Sequence, residues 1–118
     1  MNPTAIVTTC IAVPLFGDEV SPRFCYAERV LVISFVKGRE VWRQVVSLGS
    51  PWIPGRMARL SAMGVRTILC GAFNRAYLPA AGRLGMQVIT GISGNAEEAV
   101  AWFRRGHLTS TRARQRRG

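Results

Sequence analysis

Apolar positions fall into two rhythms along this chain. Residues 8–14 (Thr-Thr-Cys-Ile-Ala-Val-Pro) form a near-continuous apolar run, the pattern of a strand covered on both faces. Pro14 is expected to end it. Residues 15–26 carry Gly17, Asp18, Ser21 and Pro22 and read as a long loop. Residues 27–36 and 39–48 are β-rich stretches on either side of Lys37-Gly38, an antiparallel hairpin expected at one side of a sheet. The spacing then changes to helical: Pro54 opens a helix over 56–63, with Met57, Leu60 and Met63 on its buried stripe.

The stretch 66–75 organises the rest of the chain. A short apolar run ends in Cys70-Gly71, and helix-like spacing of Ala76, Leu78, Ala81 and Leu84 follows Asn74, closed by Gly85. This is strand, glycine turn, helix. The pattern repeats with a strand over 86–90, a turn over 91–94 and a helix over 96–105. Asn95 and Glu98 have capping-box spacing, and Ala99, Trp102 and Phe103 are expected to face inward. Strands followed by alternating helices predict an α/β domain over 8–108, with a mixed sheet, the hairpin at one edge and helices on its faces.

Parallel strands ending near Pro14, Cys70 and Thr90 would bring their following loops to one rim. Open α/β sheets bind ligands at that carboxyl edge. The rim candidates are Ser21, Arg23, Cys25, Cys70, Gly71, Asn74, Arg75, Ser93 and Gly94, with Arg56 as a further charge. Helix N-termini aimed at the same space suit an anion. Cys10 lies on the order of 13 Å below the rim at strand rise and reads as core. Cys70 reads equally as a buried hydrophobe and as a crevice thiol. His107 follows a helix whose end points away from the rim.

Charge sharpens this picture. Of sixteen basic residues fifteen are Arg, against six acids, for a net charge of +10. Four of the arginines, Arg112, Arg114, Arg116 and Arg117, lie in a tail over 109–118, while 1–7 read as a loose leader. The three cysteines cannot all pair with one another, no basic residue precedes Arg23, and no apolar run reaches membrane length. The expectation is a cytoplasmic protein with free or metal-bound thiols. Enzyme templates are missing: there is no P-loop and no G-x-G-x-x-G. A single His near the end leaves no nucleophile–His–acid set.

Four motifs in order carry a resemblance: Ile11-Ala-Val-Pro14, Val20-Ser-Pro-Arg-Phe24, Leu69-Cys-Gly-Ala72 and Gly91-Ile-Ser-Gly-Asn-Ala-Glu-Glu98. Together they resemble the dinitrogenase iron-molybdenum cofactor biosynthesis family over about 10–108. The resemblance implies a ribonuclease-H-like fold with a five-stranded mixed sheet. It also implies a non-enzymatic protein that binds or carries an anionic metal–sulfur cluster of iron and/or molybdenum, taken from a donor protein or passed to a recipient. Cys25 and Cys70 are the metal-ligand candidates. After Ser21-Pro22 many members carry His, often in His-Phe-Gly, where this chain has Arg23-Phe24-Cys25. The ligand set therefore differs from the common one.

Two rival readings stand beside it. The basic tail suits weak, sequence-indifferent binding of nucleic acid or another polyanion. The hairpin edge suits pairing with a further chain, with Trp42 and Trp52 as anchors or as core.

Overall fold

The central strand accounts for most of the architecture. The computed structural model describes residues 8–106; the expected leader over 1–7, His107, and the arginine-rich tail over 109–118 lie outside the described residues. Strand β1 (Thr8–Phe16) sends Cys10 and Ala12 to one face and Ile11 and Val13 to the other, all buried. Such a strand needs neighbours on both sides and a layer over each face. On one side β3 (Arg29–Val36) pairs antiparallel with it, from Thr8↔Val36 to Leu15↔Arg29. On the other, β5 (Thr67–Leu69) pairs parallel at Ile11↔Thr67 and Ala12↔Ile68.

β4 (Arg39–Ser47) returns antiparallel along β3, and β6 (Gln87–Ile89) extends the parallel side, giving the order β4-β3-β1-β5-β6. Lys37 and Gly38 both take positive φ, 53° and 80°, in the two-residue turn whose twist suits a hairpin. Helices lie on both faces, as expected. α1 (Ile53–Ala62) and α2 (Leu78–Arg83) pack Ile53, Met57, Leu60 and Ala81 onto Ala12, Val30, Val32 and Ile68. α3 (Ala96–Arg104) packs Ala96, Ala99 and Val100 onto Ile11, Leu31, Ile33 and Leu69. Full burial of one such large aliphatic side chain stabilises the fold by about 1.5–3 kcal/mol.

The structure departs from the sequence pattern in three places. The domain is mixed α/β with a six-strand sheet rather than five, because the first loop adds β2 (Glu19–Val20) against Leu15 and Phe16. Pro14 does not end β1: it lies beyond the last β5 partner at Ala12, and the β3 ladder continues through Pro14↔Val30. Trp102 is 49% exposed, since the cap at Asn95 phases the helix so that Ala96, Ala99 and Val100 face the sheet. Trp42 and Trp52, for which both anchor and core readings stood open, are exposed. Among the described residues, no helix is long and apolar enough to cross a membrane.

Candidate anion-binding rim

Three loops meet at the carboxyl edge, and backbone hydrogen bonds lace them together. After β2 the chain crosses the end of β5: Gly71 N donates to Ser21 O at 3.2 Å, Ala72 N to Pro22 O at 2.7 Å, and Phe24 N to Ala72 O at 3.0 Å. The loop after β6 joins through Gly91 N to Gly71 O at 2.8 Å and Ile92 N to Cys70 O at 3.0 Å. Val20 N closes the ring onto Gly94 O at 2.8 Å. Residues 20 to 74 apart in sequence thus form one continuous lip.

Gly71 is required by that lacing. A Cβ there would stand 2.5 Å from Pro22 O and 2.8 Å from Ser21 O, distances that backbone atoms do not tolerate. The glycine of the Cys-Gly-Ala motif therefore serves the close approach of two loops.

The expected rim residues divide into those that reach solvent and those that do not. Arg23 and Arg75 are exposed, as are Asn74, Ser93 and Gly94. Arg23 lies over the Tyr26 ring, 5.5 Å from its centroid. Cys25 is half-buried, within a 3-10 turn over Phe24–Tyr26 whose thiol side packs toward α1. Ser21 is buried instead: its Oγ donates to Arg23 O at 2.9 Å and accepts from Arg23 N at 3.3 Å. It braces the turn. The Asn74 carbonyl oxygen accepts from Ala76 N at 2.9 Å and caps the next turn.

Cys70 does not face the crevice. Its side chain is 0% exposed, and burial pushes the thiol up to about 12. Desolvation disfavours the thiolate that a metal would need. Cys10 is core, as expected. Among the described residues no group of three or more His, Cys, Asp or Glu side chains is placed to hold a metal ion.

The helix ends are less open to an anion than expected. Asn95 Oδ1 accepts from Glu98 N at 3.0 Å, Ala96 N donates to Asp18 O at 3.0 Å, and Glu97 and Glu98 occupy the first turn of α3. The positive end of that helix already has its anions and acceptors.

Arg56 is the residue that spacing alone misplaced. Rather than adding charge to the rim surface, it is 4% exposed beneath the Cys25 turn. Its Nη1 donates to Phe24 O at 3.0 Å and to Ala27 O, the carbonyls flanking Cys25 and Tyr26, and its Nε donates to Ser50 O at 2.7 Å. Burial lowers its pKa, opposed by Cys25 and Glu28, yet a guanidinium remains charged. One signal was available in the sequence. If the helix begins at Ile53, Arg56 falls on the stripe of Ile53, Met57 and Leu60.

This combination of fold and edge has counterparts. No family model matches the chain, and no curated protein matches its sequence. Among solved structures, the protein PH0822 superposes with a TM-score of 0.78 at 19% identity, over 86% of this chain and 96% of its own. A candidate dinitrogenase from Methanocaldococcus jannaschii gives 0.72 at 12% identity, over 88% and 95%. A candidate NifB protein of the DUF35 family from Thermotoga gives 0.70 at 22% identity, over 86% and 92%. The likeness implied by the four motifs is thus present in three dimensions, and the chain has the fold of proteins named for dinitrogenase and NifB.

Proposed function

We propose that this protein belongs with the iron-molybdenum cofactor biosynthesis proteins, on a ribonuclease-H-like fold. In this reading it binds or carries an anionic metal–sulfur cluster, or its precursor, without catalysing a reaction. The observation that carries the reading is the laced rim, whose loops carry a half-buried thiol at Cys25 and the exposed guanidiniums of Arg23 and Arg75. Soft sulfur suits iron and molybdenum, and guanidinium suits the negative charge that sulfide-bridged metals retain. With few thiols available, charge and shape supply most of the hold. Cys25 is the accessible ligand. Cys70, buried and protonated at neutral pH, is the weaker candidate.

The test is anaerobic incubation of the full chain with iron, molybdate and sulfide, followed by desalting, absorption spectroscopy and metal and sulfide analysis. Retained charge-transfer bands with stoichiometric metal are expected. Cys25→Ser should lose most of the colour and Cys70→Ser should keep most of it. A chain that emerges colourless and metal-free overturns the proposal. A donor or recipient protein for the cluster is the implied partner.

A further inference from the structure

Two aromatic rings on the hairpin side of the rim are exposed and yet held in place. Trp52 is 67% exposed and Tyr26 71%. Exposed rings usually swing freely, but each of these has one face backed. A Cβ on Gly55 would stand 2.9 Å from Trp52 Cε3 and 3.5 Å from its Cζ3, so the six-membered ring of the indole lies against bare backbone. Only glycine leaves that space. Tyr26 has the Arg23 guanidinium over its ring at 5.5 Å.

The two rings also share a foundation. Arg56 donates to Ala27 O, next to Tyr26, and to Ser50 O, while Trp52 N donates to Ser50 Oγ at 3.1 Å. The loops bearing the rings sit on neighbouring strand ends, before β3 and after β4, joined where Leu48 N donates to Glu28 O at 2.9 Å. Beside them Arg23 has no carboxylate partner, the ion pairs among the described residues being those of Arg43. Glu28 is the one acid between the two loops.

We propose that Tyr26 and Trp52 form a stacking platform for single-stranded nucleic acid, with Arg23 taking a phosphate. Rings with one face braced and the other open accept any base, because every base has a π-face. Guanidinium groups suit the strand better than ammonium groups would, since they pair with phosphate in two-pronged fashion and stack on rings. Fifteen of the sixteen basic residues are Arg, and the net charge of +10 supplies long-range attraction. An acidic protein would use the same charge but would leave both rings in water unless it brought its own apolar surface. This site shares Arg23 with the cluster reading but stands without it.

The experiment uses the full chain with short fluorescein-labelled oligo(dT) and oligo(U), read by anisotropy across a salt series and by quenching of intrinsic tryptophan fluorescence. Either strand chemistry should bind, quench Trp52, and outcompete a duplex of equal length. Trp52→Ala and Tyr26→Ala should each weaken binding about tenfold at fixed salt, the size of one lost base stack. Their salt slopes should stay unchanged, because no phosphate contact is lost. Trp102→Ala, removing an exposed ring on α3, should leave affinity intact. Gly55→Ala should mimic Trp52→Ala by displacing the ring, and Glu28→Gln should tighten binding. Equal binding of duplex and single strand, displacement by poly-glutamate-competing acidic peptides at equal charge, or wild-type affinity in both ring variants would overturn the platform. Trp52→Phe, which keeps an apolar ring, should retain most of the affinity and guards against misreading a folding defect.

Discussion

Each side of the molecule is fastened by an arginine, and the two fastenings work in opposite ways. On the α3 side Arg43 lies on the exposed edge strand, with Glu40 at 2.6 Å and Glu97 at 2.7 Å and a side chain 38% exposed. At the rim Arg56 is buried and holds backbone carbonyls from residues 24, 27 and 50, with no carboxylate partner. The Arg43 pairs look stronger by charge. Solvent screens them, so an exposed network of this kind contributes roughly 0–1 kcal/mol. The Arg56 bonds are made where water cannot replace them, and their loss leaves buried acceptors unsatisfied at about 1–3 kcal/mol each. Burial, rather than formal charge, decides which arginine matters to the fold.

Removing Arg56 is the strongest way to test that contrast. Arg56→Met should lower unfolding free energy by ~3 kcal/mol or more, and Arg56→Lys should recover part of it, as read by urea denaturation. A loss below about 1 kcal/mol would put Arg56 on the level of a surface pair. Next in size is Gly71→Ala, where the new methyl would meet Pro22 O at 2.5 Å. Separation of the two loops should cost about 1–3 kcal/mol and raise the reactivity of Cys70 toward alkylating agents. Unchanged protection of that thiol would show that the lip gives way elsewhere.

The smallest effect belongs to the exposed side and depends on pH. The hydrogen bond from Arg43 holds the Glu40 carboxyl below its usual range. The folded chain therefore binds this proton less readily than the unfolded one. Its contribution is full above the unfolded carboxylate value of about 4.3 and fades as pH falls through the lower folded value. Solvent screening keeps it below ~1 kcal/mol, and Arg43→Ala should remove it along with its salt dependence. An acid transition that is identical in both proteins would show that the pair contributes nothing.

The element order was legible because it is written locally. The two-faced apolar run of β1, the Lys37-Gly38 turn, Pro54 at the start of α1 and Asn95 at the start of α3 each act within a few residues. The reading erred where phase or neighbours intervene. Trp102 turns outward because the cap sets the helix phase, and Pro14 stays within β1 because β5 has already diverged.

The candidate site was legible in its membership more than in its roles. Cys25, Arg23 and Arg75 reach solvent at the carboxyl edge, whereas Ser21 turns inward to brace a loop and Cys70 is covered. Arg56, taken from its position as one more rim charge, became the support beneath that rim through hydrogen bonds spanning 29 and 32 residues. From the sequence alone came the strands, helices and turns, the excess of arginine and the four motifs, all set by short-range pattern or by composition. Which thiol meets water, which arginine is buried and which rings stand braced in solvent were decided by tertiary structure. Those outcomes depend on how distant segments displace water from one another, and no local window contains both segments.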